Sequence, residues 1–175
     1  MASILLAYSS VDGHTRAICE RLAARLTADG HRPELASLAG GPPIDVRAFD
    51  KIVIGASIRY GKHRPEVHEF IRRHRKLLDE RPSAFFSVNV VARKPGKDTP
   101  EGNPYMREFR RQTGWRARRQ AVFAGKIDYQ RYGYADRQVI RLIMWLTKGP
   151  TDPKACVDFT DWGRVDAFAG EVAAM

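Results

Sequence analysis

Apolar residues in this chain follow two rhythms. Short continuous runs occur at residues 3–8 (SILLAY), 51–57 (KIVIGAS), 82–91 (PSAFFSVNVV) and 121–128 (AVFAGKID). Runs of that length without alternation predict strands covered on both faces. Residues 33–38 make a weaker strand, and a short one is expected at 156–159. Between these runs the period changes. Ile18, Leu22 and Leu26 recur at spacing four among Arg16, Glu20, Arg21 and Arg25, which predicts an amphipathic helix over 15–29 stopped by Gly30. Pro65 suits the first turn of a helix running to Leu78. Further helices are expected at 105–112 and from Trp162 onward. Strand–helix alternation of this kind predicts one α/β domain over 1–175, a doubly wound five-stranded parallel sheet of order 2-1-3-4-5. Ligands in such sheets bind beyond the C-terminal ends of the strands.

Residues 129–155 interrupt the alternation before the last helix. Within them, YADRQVIRLIMWLTK at 134–148 reads as a helix. At about 100° per residue, Arg137, Arg141 and Lys148 share a narrow stripe, and Val139, Ile140, Leu142, Ile143, Trp145 and Leu146 fill most of the rest. A helix of this length is too short and too charged to cross a bilayer. Its apolar body must pack on the sheet or on another copy, or lie in a membrane interface with the cations near anionic headgroups.

The loops after the strands carry the candidate chemistry. The first strand runs into Ser9-Ser10-Val11-Asp12-Gly13-His14-Thr15 and then a helix. Ser9, Ser10 and Thr15 can donate to phosphate oxygens, Gly13 permits a turn that aims N–H groups inward, and the helix N-terminus adds partial positive charge. There is neither a GxxxxGK[ST] nor a GxGxxG pattern, so neither a P-loop nor a dinucleotide fingerprint is present. The third strand runs into Ala56-Ser57-Ile58-Arg59-Tyr60, and the fourth into Asn89-Val90-Val91-Ala92-Arg93-Lys94. On one sheet edge these three loops can sandwich a flat ring.

Composition narrows the partners. The 175 residues carry 30 Lys+Arg and 20 Asp+Glu, a net charge of +10. The excess is concentrated: residues 59–148 hold 22 basic and nine acidic side chains. An anionic partner is the natural reading of such a concentration, whether nucleic acid, membrane surface or an acidic small molecule. No nucleic-acid reading motif accompanies the charge, so nucleic acid is not expected. Cys19 and Cys156 make no disulfide framework, and neither a signal peptide nor a membrane-spanning run is seen, so a cytoplasmic location is expected.

The Tyr-Ser-Ser-x-x-Gly-x-Thr loop and the sheet order resemble flavodoxins. More narrowly, IVIGASIRYG, SAFFSVNVVARKP, YQRYGYADR and VDFTDW resemble the menaquinone-dependent protoporphyrinogen IX dehydrogenases, flavodoxin-like enzymes of bacterial haem biosynthesis. The resemblance covers essentially the whole chain. It implies an FMN cofactor at the three loops, oxidation of protoporphyrinogen IX to protoporphyrin IX, and delivery of electrons to a membrane quinone, menaquinone or ubiquinone. The apolar body and cation stripe of residues 134–148 predict peripheral attachment to the inner face of the cell membrane. A homo-oligomer stays open. The alternative is a flavodoxin-like electron carrier or an NAD(P)H:quinone reductase. The strong positive charge departs from ordinary flavodoxins, which are acidic carriers, and Asp12 is unhelpful beside a phosphate unless it points outward.

Arg59, Arg93 and Lys94 are candidates for pairing substrate propionates or for stabilising reduced flavin; the competing reading is solvated loop cations. His63 is a candidate proton acceptor, although solvated surface histidines are the favoured reading for all five. HEFIRRH at 68–74 lacks the HExxH spacing, so no metal is expected. Cys19 is expected in the core.

Overall fold

The computed structural model describes residues 1–175. The strands are β1 (Ser3–Ser9), β2 (Arg32–Ser37), β3 (Lys51–Arg59), β4 (Lys62–His63), β5 (Ser83–Val88), β6 (Arg119–Phe123), β7 (Lys126–Asp128) and β8 (Cys156–Asp158). The helices are α1 (His14–Ala28), α2 (Pro65–Glu80), α3 (Pro104–Thr113), α4 (Tyr134–Leu146) and α5 (Trp162–Ala173). Five parallel strands run in the order β2-β1-β3-β5-β6, and β4 folds back antiparallel on β3. This is the expected doubly wound order with a hairpin added at the end of β3.

The continuous apolar runs occupy the middle of that sheet. Every residue of β5 is buried, and Ile4–Ala7 of β1 are fully enclosed. One face packs on α1 and α5 through Leu6, Ile18, Leu22, Phe86 and Phe168. The other packs on α2 and α3 through Ile54, Phe70, Phe85, Phe109 and Trp115. Cys19 is fully buried in the first of these layers, as expected. Gly55 in β3 is required by packing: a Cβ there would lie 2.2 Å from the ring of Phe86.

Two strand expectations need correction. The run 82–91 leaves the sheet at Val88 and closes into a 3₁₀ turn, Val90–Arg93, because the Asn89 side chain accepts the N–H of Ala92 at 3.1 Å. The run 121–128 is two strands. β6 ends at Phe123, and β7 turns away to pair antiparallel with β8 in a separate ribbon. Gly125 stands between them and lies against Asn89 and Val90. The insert begins here. Ile127, Tyr129, Tyr132 and Met144 form a small core of their own that seats α4 over the C-terminal edge of the sheet.

Candidate functional site

A cleft opens at that edge, enclosing about 1090 Å³ with its solvent-open mouth included. The ends of β1, β3 and β5 form its floor, as the doubly wound order requires. Ser10, Val11, Asp12, His14 and Thr15 line one end, Ser57, Ile58, Arg59 and Tyr60 the next, and Asn89, Val90, Val91 and Arg93 the third.

The first loop is built as an anion cradle. Gly13 caps α1 at φ 83°, a left-handed conformation that a branched residue resists, and no side chain caps the helix in its place. The first N–H groups of α1 therefore have neither an intrahelical partner nor a side-chain cap. The hydroxyls of Ser10 and Thr15 are buried there and have no hydrogen-bond partner in the protein. Buried orphaned donors around a helix N-terminus are what a phosphate satisfies. His14 is half-buried and anchors the loop: its Nε2 meets the Thr160 hydroxyl at 2.6 Å, and that hydroxyl donates to the Ala124 carbonyl at 2.8 Å. Burial lowers the pKa of His14.

Not every expected residue reaches the cleft. Ser9 is fully buried, and its hydroxyl donates to Glu66 Oε1 at 2.8 Å, so it is not free for a phosphate. Ala56 and Ala92 belong to the core between the sheet and α2–α3 and do not line the cleft. Lys94 does not line it either. His63 is not a surface histidine, and it does not line the cleft. It is buried on β4, bonds Ser87 Oγ at 2.9 Å and packs edge-on to Phe85 and Phe109. Burial pushes its pKa down to about 3, so the ring is neutral across the physiological range.

The two candidate arginines are held rather than solvated. β3 and β4 are joined by Tyr60 at φ 50° and Gly61 at φ 76°, the pair of positive angles of a two-residue hairpin turn. That turn sets Arg59 at the lip of the cleft. Its guanidinium meets Asp12 Oδ2 at 3.4 Å, pairs with Asp136 on α4, and lies 5.4 Å from the ring of Tyr60 and 5.8 Å from that of Tyr132. The hydroxyl of Tyr60 also donates to Asp136. Asp12 therefore turns toward Arg59, while burial raises its pKa. Arg93 donates to the carbonyls of Val90 and Thr147, each at 3.0 Å, and to the Thr147 hydroxyl at 2.9 Å. It ties the third loop to the end of α4.

The fourth wall comes from the insert, whose facing partner the sequence left open. Val139, Ile140, Ile143, Met144 and Thr147 of α4 face the cleft, joined by Tyr105, Tyr132, Gly125, Lys126 and Ile127. The helical period of α4 shows that it has more than one apolar side, but not which side meets the sheet edge. The opposite side of α4 is open: Tyr134, Leu142, Trp145 and Leu146 are exposed. Arg137 donates to the carbonyls of Tyr129 and Tyr132, and Arg141 to that of Thr151. These two cations thus also brace the insert's own loop.

A family model for the flavodoxin domain matches residues 5–154. The chain belongs to the flavodoxin domain family. Protoporphyrinogen IX dehydrogenase (quinone) of Escherichia coli strain K12 is 43% identical over 171 residues, which cover 98% of this chain and 94% of that protein. The protein of the same name from Leishmania major is 38% identical over 172 residues, covering 98% of this chain and 74% of that one. Among solved structures, oxidised flavodoxin 1 from Bacillus cereus aligns with a TM-score of 0.56 at 12% identity, covering 98% of this chain and 97% of the other. That likeness speaks to the fold. The relatives at 43% and 38% identity place this chain beside the protoporphyrinogen IX dehydrogenases within the flavodoxin family.

Proposed function

We propose that this flavodoxin-family protein is an FMN-dependent dehydrogenase that oxidises protoporphyrinogen IX to protoporphyrin IX and reduces a quinone. The carrying observation is the 43% identity, over 98% of the chain, to a protein named for that reaction. The balance is three quinones reduced to three quinols for each porphyrinogen, six electrons and six protons in all. The residues present fit the cofactor. Ser10 and Thr15 carry buried hydroxyls without partners beside the Gly13 turn, and these would hold the phosphate. The ends of β3 and β5 offer Ser57, Ile58, Val90 and Val91 as walls for a flat ring. When bound, FMN supplies two-electron acceptance and donation, so it links a porphyrinogen to a quinone.

The rest falls to this chain's side chains. Val139, Ile140, Ile143 and Met144 give the cleft an apolar wall that excludes water and suits a large macrocycle. Arg59 stands at the lip, where a propionate enters. His63 takes no proton from substrate, because it lies outside the cleft and is already bonded to Ser87.

The same proposal includes peripheral attachment to a membrane. No helix is long and apolar enough to cross one. Support comes from α4, whose outer side exposes Tyr134, Leu142, Trp145 and Leu146 while its inner side walls the cleft. A helix lying in the interface by that outer side brings the cleft to a lipid-dissolved quinone. The test is anaerobic: protoporphyrinogen IX is added to the FMN-loaded protein, and then a menaquinone analogue. Bleaching of the flavin absorbance followed by its recovery is expected. A flavin that stays oxidised in the presence of porphyrinogen refutes the proposal.

A further inference from the structure

Three carboxylates and two guanidinium groups meet where the phosphate loop, the β3–β4 hairpin and α4 converge. Arg59 pairs with Asp12 and Asp136. Arg131 donates to the Asp12 carbonyl at 2.9 Å and lies 3.9 Å from Asp128. The cluster thus holds one carboxylate more than its cations balance, before any phosphate or substrate arrives. Arg59 is four-fifths buried, enclosed by two tyrosine rings. It also lines the cleft, so a further carboxylate arriving there competes with Asp12 and Asp136 for the same cation.

The two partners are not equivalent. Asp12 belongs to the loop that must stay closed around a phosphate, and it stands 3.4 Å from Arg59. Asp136 belongs to the first turn of α4, the wall of the cleft, and bonds both Arg59 and the Tyr60 hydroxyl. Tyr60 is itself exposed at the tip of a hairpin turn. Releasing Asp136 opens the seam between α4 and the hairpin without disturbing the phosphate loop. Its carboxylate then rests in solvent at the N-terminal end of α4, where the helix dipole favours negative charge.

We propose that Asp136 is a built-in carboxylate that occupies Arg59 until a substrate carboxylate takes its place, so that it tempers the preference of Arg59 for acidic substrates. This rests on the reading of the substrate as a porphyrinogen bearing propionates. Without a ligand, Asp136 keeps this largely buried cation satisfied. With one, the exchange favours a ligand that carries its own carboxylate. A neutral ligand of the same shape gains nothing at Arg59.

The experiment compares protoporphyrinogen IX with its dimethyl ester as reductants of the FMN-loaded protein. The readout is the ratio of kcat/KM for acid to that for ester. In Asp136→Asn the acid no longer competes with a resident carboxylate, so the ratio rises about tenfold, the scale of one charge-assisted hydrogen bond. Asp136→Ser, which keeps a residue accepted in a first helical turn, should raise it in the same direction. A role confined to shaping the hairpin would change both substrates alike and leave the ratio where it was, which overturns the inference. Lys126 is the rival reader, since it lines the cleft and pairs with no carboxylate. A ratio that moves only in Lys126→Ala, or only in Asp12→Asn, also overturns it. A protein that oxidises neither compound overturns the proposed function along with it. One that oxidises both with an unmoved ratio in Asp136→Asn overturns the inference alone.

Discussion

The outer side of α4 offers the sharpest test of membrane attachment, through the replacement Leu142→Ser, Trp145→Ser and Leu146→Ser in one protein. These residues are 56%, 69% and 67% exposed, so they contribute little to the folded core. Fully burying a large apolar side chain is worth about 1.5–3 kcal/mol. Scaled by those exposures, each contributes about 1–2 kcal/mol on insertion, and the three together about 3–6 kcal/mol. Loss of that term lowers the membrane partition coefficient by roughly a hundredfold or more. The electrostatic term is about 1 kcal/mol per cation near an anionic surface. Arg137 and Arg141 sit on the flank of the helix, donating to loop carbonyls, so they add less than their charge implies. The apolar term wins, and added salt should weaken binding only modestly. Ile143 is excluded from the replacement because it also lines the cleft. The assay is co-sedimentation with anionic liposomes, with flavin absorbance read in the pellet and the supernatant. The triple variant should stay in the supernatant with its flavin, while the unaltered protein pellets. An unaltered protein that ignores liposomes refutes the reasoning, as does a triple variant that pellets equally well. Loss of flavin in the variant would show instead that this side is packed within the protein.

Other outcomes follow from the site. Thr15→Ala should weaken FMN binding by roughly 1–2 kcal/mol, about tenfold in Kd, because a buried hydroxyl bond to a charged acceptor is lost; fluorescence titration measures it. Gly13→Val should abolish FMN retention, since a branched residue resists the left-handed turn at φ 83°; a variant purified with full FMN occupancy would discredit the assigned loop. Arg93→Ala should lower the thermal midpoint and raise KM for porphyrinogen, because the Val90 and Thr147 carbonyls lose their donor and α4 loses its tie to the third loop; unchanged values on both counts contradict the tie. For His63 the folded pKa lies below the unfolded one, so the unfolded chain binds more protons between about pH 3 and pH 6.5. Its contribution to stability is complete above pH 6.5 and is lost as the pH falls toward 3, so His63→Gln should flatten denaturant-measured stability against pH across that window.

The sheet and its phosphate loop were legible in the sequence because both depend on neighbours in the chain. SILLAY, KIVIGAS and SAFFSV are apolar without alternation, so they had to lie inside a covered sheet, and five strands alternating with helices admit few orders. Gly13 followed by Thr15 at a strand-to-helix turn suggested an anion cradle, although such hydroxyl-rich starts also serve as plain helix caps. Tertiary structure decided which polar groups of that cradle are free. Ser9 and Ser10 look equivalent in the chain, yet Glu66, 57 residues from Ser9, takes its hydroxyl and leaves that of Ser10 open. The sequence left Arg59 open between a substrate- or flavin-facing cation and a solvated one, and only Asp136, 77 residues away, shows how it is held. His63 looked solvated until Phe85 and Phe109 closed around its ring. The run 121–128 looked like one strand because apolarity continues through it, but only β8, far along the chain, makes its second half a separate ribbon. α4 had a readable period, while its orientation, one side on the cleft and one in the open, came from the small core of Ile127, Tyr129 and Tyr132 that seats Met144. Periodicity records the environment a segment requires; the partner that meets each charge and hydroxyl is set by chain closure over tens of residues, which local pattern does not carry.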